Sequence, residues 1–297
     1  MSERQRPEAR ITDAIIAQLK QGVRPWKQPW DSAGTAVALP LRANGEAYRG
    51  INTVMLWMRA SAEGWAGRHW MTYRQAAALG GQVRKGESST LVVYYGQSGG
   101  GDVDDDGEES RGFRFLKGYP VFNVAQIDGL DPSFYPAPVE RPVYDVRWNA
   151  ELEAFLDATG ADISWTGERA YYAPGPDHIR MPDRALFRDA EQAYATAHHE
   201  LIHWTGAKHR LDRTFGSRFG DPAYAREELV AELGAAFLGA HTGLRPDHIE
   251  DHSAYIGHWL QALKSDSRAI LKAAAQAQAA CDFVLQAVER GRLKEAA

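Results

Sequence analysis

The stretch Tyr194-Ala-Thr-Ala-His-His-Glu-Leu-Ile-His-Trp-Thr-Gly206 sets His199, Glu200 and His203 in the spacing H-E-x-x-H. In a helix, residues four apart stand one above the other, so His199 and His203 would offer two imidazoles to one metal ion. Glu200 would project beside that ion rather than at it, where a carboxylate can take a proton from water and pass it to a leaving amine. Three fixed residues in five recur by chance, and the competing account is an amphipathic helix with two satisfied histidines. The surroundings favour the chemical account. Ala190, Ala193, Ala195 and Ala197 promote helix, Leu201, Ile202 and Trp204 supply apolar flanks, and Gly206 is placed as a residue just past a helix end. A tetrahedral catalytic site still needs a third protein ligand.

A source for that ligand lies in Asp221 to Gly243. Asp221 as N-cap, Pro222 as first helical residue and Gly243 as terminator predict a second helix. Glu228 and Glu232 are four apart and share one face, while Leu229, Leu233, Ala236, Phe237 and Ala240 build an apolar side. A solvated acidic face is the plainer explanation, but it sits poorly beside so apolar a helix.

The H-E-x-x-H helix, a polar connection and a second helix reading Glu-x-x-Ala-acid resemble the glutamate-ligand zincin metallopeptidases. That resemblance implies that Glu228 is the third ligand of a zinc ion and that Glu232 fixes a metal-bound histidine through its other ring nitrogen. The reverse assignment, and a part for Glu227, stay open.

These helices belong to a chain of 297 residues, 44% hydrophobic and 25% charged, which fits a globular protein of two domains. The first ten residues show no apolar signal core, and no run approaches the ~20 apolar residues of a membrane span, so a cytoplasmic protein without membrane association is expected. The single Cys281 has no partner for a disulfide or thiolate site and reads as an apolar filler. A formal net charge of −5 hides an asymmetry. Residues 1–95 carry 13 Lys+Arg against 7 Asp+Glu, the rest 21 against 32, and five of the nine tryptophans lie in the first part. Cations interleaved with aromatics suit single-stranded nucleic acid, although buried tryptophans would give the same count.

Along the chain, Ala9 to Gln21 has the apolar spacing of a helix, and Arg24-Pro-Trp-Lys-Gln-Pro-Trp30 forbids one. Helix is expected from Ile51, with Tyr48 and Arg49 at its entrance, and a short one over Thr72 to Leu79. Strands are expected at Thr90 to Tyr95 and Gly112 to Val124, around a strongly acidic tip from Gly99 to Glu109. Arg84 and Lys85 fall in a loop before the first strand. As a set, Pro25-Trp26 with Pro29-Trp30, Tyr48-Arg-Gly-Ile-Asn52, Thr72-Tyr-Arg-Gln75, Gly80-Gly-x-Val-Arg-Lys-Gly86 and Phe122-Asn-Val-x-Gln-Ile-x-Gly-Leu130 resemble the N-terminal domain of ArdC-type plasmid antirestriction proteins, which also occurs at the front of TraC-type primases. The resemblance implies a single-stranded-DNA-binding domain joined to a zincin-like peptidase, and it does not explain the acidic Asp102 to Glu109 insertion. Four prolines between Asp131 and Pro142 read as a linker. Beyond it, Ile163 to Thr166, Arg169 to Tyr172 and Asp177 to Met181 predict a small antiparallel sheet, with Asp177 to Met181 as the edge facing a peptide substrate. His178 and His209 lack spaced partners and are set aside.

The expected fold is thus α+β: an α+β single-stranded-DNA-binding domain over 1–135, then a mainly helical zincin-like metallopeptidase domain over 136–297. Zinc would sit on His199, His203 and Glu228, with Glu200 as the catalytic base and Glu232 behind a ligand. Arg49, Arg84 and Lys85 would meet phosphates, and Tyr48 and Trp26 would stack on bases. By the resemblance, the protein guards incoming conjugative plasmid DNA; the sequence does not show the peptidase substrate, for which host restriction components are one candidate. Two other readings compete: a DNA-binding module with a structural metal site, and a metal-dependent DNA-processing hydrolase.

Overall fold

A computed structural model of the chain describes residues 5–26, 38–98, 113–135, 148–216, 221–244 and 253–295. The acidic tip, Pro29-Trp30 and the part of the proline-rich segment from residue 136 lie outside the described residues.

Helix α1 (Pro7–Lys20) turns Ile11, Ile15 and Leu19 inward, and the residues after it bury Arg24 and Trp26. Helix α2 (Ile51–Glu63) buries most of one side and stops at Gly64, whose φ of 67° is left-handed. Strand β1 (Trp70–Met71) leads into α3 (Tyr73–Ala78), whose first turn is closed by a reciprocal Thr72–Gln75 capping box. Strand β2 (Gln82–Val83) precedes the β-branched run that extends into β3 (Thr90–Ser98). Strand β4 (Phe113–Asn123) runs antiparallel to β3 from Thr90↔Val121 to Ser98↔Phe113 and carries β1 on its other side; β5 (Ile127–Asp128) pairs with β2.

In the rear part, Asn149 caps α4 (Ala150–Ala158), and β6 (Asp162–Gly167), β7 (Tyr171–Ala173) and β8 (His178–Pro182) form the second sheet. Its order is β6-β8-β7, with β6 parallel to β8 and β7 antiparallel to it. Asp177 to Met181 therefore lies in the middle strand and not at the edge. Both its backbone rows are occupied, and among the described residues β6 and β7 are the strands that each keep one unpaired side.

Helices α5 (Ala190–Thr205), α6 (Pro222–Thr242), α7 (Ser253–Ser265) and α8 (Ala269–Glu295) complete the fold. Asp189 caps α5, Asp221 caps α6, and Gly243 ends α6 with a left-handed φ of 78°. Gly206 ends α5 for a different reason, since its φ is −77°. A side chain there would run into Phe215 and Arg213, so the glycine makes room rather than a turn.

One apolar core joins Ile11, Ile15, Trp26 and Trp57 of the front part to Leu229, Phe237, Trp259 and Ala274 of the rear helices. Cys281 is buried in it, as its apolar surroundings predict. Among the described residues, no helix is long and apolar enough to cross a membrane.

Candidate metal centre

Helices α5 and α6 are brought together at Gly234, where a Cβ would stand 2.8 Å from Ile202. This close approach lets a carboxylate on α6 reach the imidazoles on α5. The Nε2 atoms of His199 and His203 lie 3.1 Å apart, and each is 3.5 Å from an oxygen of Glu228. All three residues are buried, and their ligand atoms lie within 4.8 Å of one another. Two neutral-capable imidazoles and one carboxylate, open to a cleft on one side, form the donor set of a three-ligand divalent metal site. The sequence-predicted trio is thus assembled, and Glu200 lines the same cleft.

The support behind these ligands differs from expectation. Nδ1 of His203 meets Glu227 Oε1 at 3.1 Å, so Glu227 has the contact expected of Glu232 at a ligand histidine. Arg213 donates to both Glu227 oxygens, at 3.0 and 2.8 Å, and also to Thr205 Oγ1 and the Ile202 carbonyl. Glu232 instead takes the Trp26 indole N–H at 3.1 Å and faces Arg24 at 3.4 Å. The cause is helical phase: Glu232 stands a turn further along α6, where the front segment packs, while Glu227 faces the last turn of α5. Only the adjacency of Glu227 to Glu228 hinted at this in the sequence, and nothing there marked Arg213.

The site's electrostatics follow from burial opposed by pairing. Burial pushes the His203 imidazole down, but the Glu227 hydrogen bond and the charges of Glu228, Glu227 and Glu200 outweigh it and raise its pKa to about 9. His199 is raised for the same balance of reasons, with Glu228 as its hydrogen-bond partner. Burial alone would raise Glu228; hydrogen bonding to His199 and the two imidazolium charges bring it to about 2, with a hydrogen bond from Tyr224 adding to the effect. The cluster thus holds Glu228 as a carboxylate against imidazoles that favour their protons, and a cation binding there would displace those protons.

The cleft holds about 650 Å³ and is walled by Tyr171, Tyr172, Phe187, Phe215 and Tyr224 above His199, Glu200, His203 and Glu228. Its side is β7, the one of the sheet's two edge strands whose Tyr171 and Tyr172 line the cleft. Arg210 fixes this strand to the end of α5: it pairs with Asp177, donates to the Tyr172 hydroxyl at 3.2 Å and lies 4.0 Å over the Trp204 ring. His178 is held by Asp162 and Ser164, both at 2.8 Å. His209 lies 3.3 Å from Asp177.

Two family models each match part of the chain. Residues 150–276 match the zincin-like metallopeptidase family, and residues 5–122 match the N-terminal domain of anti-restriction factor ArdC. The chain is similar to the metal-free crystal structure of the antirestriction ArdC protein from plasmid R388, with a TM-score of 0.83 and 45% identity over 96% of this chain and 99% of that one. The chain belongs to the ArdC antirestriction family. The Mn(II)-bound structure of the same R388 protein is also similar, with a TM-score of 0.79 and 44% identity over 96% of this chain and 98% of that one. A Sinorhizobium fredii relative, uncharacterized protein y4eC, is 43% identical over 93% of this chain and 90% of its own length. An Escherichia coli DNA primase TraC is 39% identical over 96% of this chain, which spans only 20% of that primase.

Two of the residues expected to meet DNA are not on the surface. Trp26 is 1% exposed, with its ring set edge-on to Trp259, and Tyr48 is 8% exposed, with its hydroxyl aimed at the Trp70 carbonyl. Neither ring can take a stacked base in this conformation. Arg49 is ion-paired with Asp282 on α8, and Arg84 is matched by Glu87 at 2.8 Å and Asp128 at 3.2 Å. Lys85 is exposed. Trp26 is a core anchor, as the indole's large apolar area dictates.

Proposed function

We propose that this protein is a single-stranded-DNA-binding antirestriction factor whose rear part is a zinc-dependent peptidase. The observation that carries the peptidase reading is the meeting of His199, His203 and Glu228 on the floor of a cleft that also presents Glu200. Zinc bound there would polarise a scissile carbonyl and make a neighbouring water more acidic. The chain's own residues do the rest. Glu227, locked by Arg213, holds the His203 ring so that Nε2 faces the cleft; the free backbone of β7 receives an extended peptide by strand addition; Glu200 accepts the proton of the attacking water and returns it to the leaving amine.

A structural metal site has no use for Glu200 or for an open cleft. Phosphoryl transfer calls for an oxygen-rich, two-metal cluster, and among the described residues the group spaced to hold a metal is the two-histidine, one-glutamate set. The DNA-binding half of the reading is supported by the match to the ArdC N-terminal domain and by relatives that are DNA primases. Acting on DNA as it enters a cell places the protein in the cytosol. The test is to incubate wild type and Glu200→Ala with host restriction subunits, with and without single-stranded DNA. Cleavage by wild type alone, with equal metal content in both proteins, is the expected result; equal cleavage by Glu200→Ala would sink the assignment of the base.

A further inference from the structure

With Trp26 and Tyr48 buried and Arg49 and Arg84 matched by carboxylates, a DNA-binding front part needs another surface. The β3–β4 ribbon supplies one. Residues directly opposite in an antiparallel pair share a face, so Val92/Tyr119, Tyr94/Lys117 and Gly96/Phe115 lie in succession on one side of it. The face starts in the core, where Val92 and Val121 pack with Leu56 and Trp70, and then runs out past its cover. Tyr94 is 58% exposed and Lys117 is exposed. The opposite face is packed at its start, with Val93 in the core beneath α1, and carries Tyr95, 61% exposed, opposite Leu116 further out.

On the open stretch the rings form a row. Lys117 Nζ stands 5.2 Å from the centre of the Tyr119 ring, and the Tyr94 and Phe115 rings are 6.5 Å apart. Phe115 lies across Gly96, where a Cβ would be 2.2 Å from its ring. Covering a strand glycine explains Phe115, but it leaves an exposed Tyr94 beside an exposed lysine without a folding purpose. On this face the two strands place Lys117, and neither strand contains Asp or Glu. Rings that bases can stack on, beside a cation for phosphate and with no carboxylate on the strands themselves, are the chemistry of a sequence-tolerant single-strand platform.

We infer that Tyr94, Phe115, Lys117 and Tyr119 form a base-stacking face for single-stranded DNA, which rests on the reading above that the front part binds single strands. The test is anisotropy of a fluorescein-labelled oligo-dT titrated with the full-length protein, over a series of salt concentrations. Tyr94→Ala should weaken binding about ten-fold, the loss of one stacked base, and Tyr94→Phe, which keeps the ring, should bind like wild type. Lys117→Ala should make the slope of log affinity against log salt shallower by about 0.7, one phosphate contact on a single strand. Circular dichroism and the melting temperature of each variant should match wild type, since both side chains are exposed. If wild type binds and Tyr94→Ala and Lys117→Ala bind equally well, this face is wrong while the DNA-binding reading stands. If wild type does not bind, both fail. If the variants leave DNA binding intact but shift a monomer–dimer equilibrium, the face joins two copies of the chain, and the inference is overturned.

Discussion

At the scale of single residues, the His203 ring is set by a buried network in which each charge has a partner, and such networks are costly to break on one side only. Replacing Glu227 with Gln keeps the shape but removes the charge that faces both His203 and Arg213. Metal affinity should fall by roughly 10–100-fold, and Arg213→Lys, which loses the two-oxygen clasp, should fall in the same direction. A competition titration against a chromophoric chelator measures this, and unchanged affinity in a folded Glu227→Gln variant would mean that the ring is held by other groups. His198, next door, is the opposite case. It is fully buried without an ionic partner, its Nδ1 is unbonded, and burial lowers its pKa from 6.5 to about 3. Below about pH 6.5 the unfolded chain therefore binds a proton that the folded chain refuses, and stability falls by up to about 1.4 kcal/mol per pH unit until pH 3 is approached. In chelator-treated protein, the loss of melting temperature between pH 7 and pH 5 should be smaller for His198→Leu than for wild type; equal losses would show that His198 is not the group responsible.

At the scale of elements, the site depends on how closely α5 and α6 cross. Gly234→Ala adds a methyl where Ile202 already stands, at an overpacking cost of about 1–3 kcal/mol, but alanine recovers about 1 kcal/mol of helix propensity. Stability is thus a blunt reading, and metal affinity is the sharper one, because any separation of the helices moves Glu228 away from both histidines. Affinity should drop in Gly234→Ala and return when Ile202→Ala removes the crowding Cγ1, Cγ2 and Cδ1 atoms; a loss that Ile202→Ala does not relieve would mean that packing at this crossing does not set the ligand spacing. Both helices were legible in the sequence because their signals are local: Asp221, Pro222 and Gly243 for α6, alanine content and the H-E-x-x-H spacing for α5. Strand order was not. Asp177 to Met181 alternates like any strand, and whether it lies at the edge or in the middle is decided by what pairs on each side, which no local pattern records. Gly206 misled for a related reason, since a glycine that clears space for Phe215 and Arg213 looks the same in sequence as one that turns the chain. Trp26, Tyr48 and Arg84 have the composition of a nucleic-acid surface, and only tertiary packing shows that the rings face inward and the charge is matched.

At the scale of the whole molecule, the front and rear parts are bound through the same groups that support the metal helix. Trp26 packs edge-on to Trp259 and donates to Glu232; Arg24 faces the same carboxylate; Thr12 Oγ1 donates to the Ser267 carbonyl at 2.7 Å, and the Gly50 amide to Gln278 at 2.9 Å. With Ile11, Ile15 and Trp57 in one core with Leu229 and Phe237, neither part can unfold without exposing the other's apolar face. Chains of this size often unfold in steps, but a shared core makes the parts cooperative. Urea unfolding followed by far-ultraviolet circular dichroism and by tryptophan fluorescence should therefore give coincident curves with one midpoint. Trp26→Ala, which empties a fully buried indole site and strips a donor from a buried carboxylate, should lower stability by about 3–5 kcal/mol and move both curves together. Two separate transitions, with Trp26→Ala shifting only one of them, would mean that the parts fold independently, and that fragments divided between residues 135 and 136 report faithfully on DNA and metal binding.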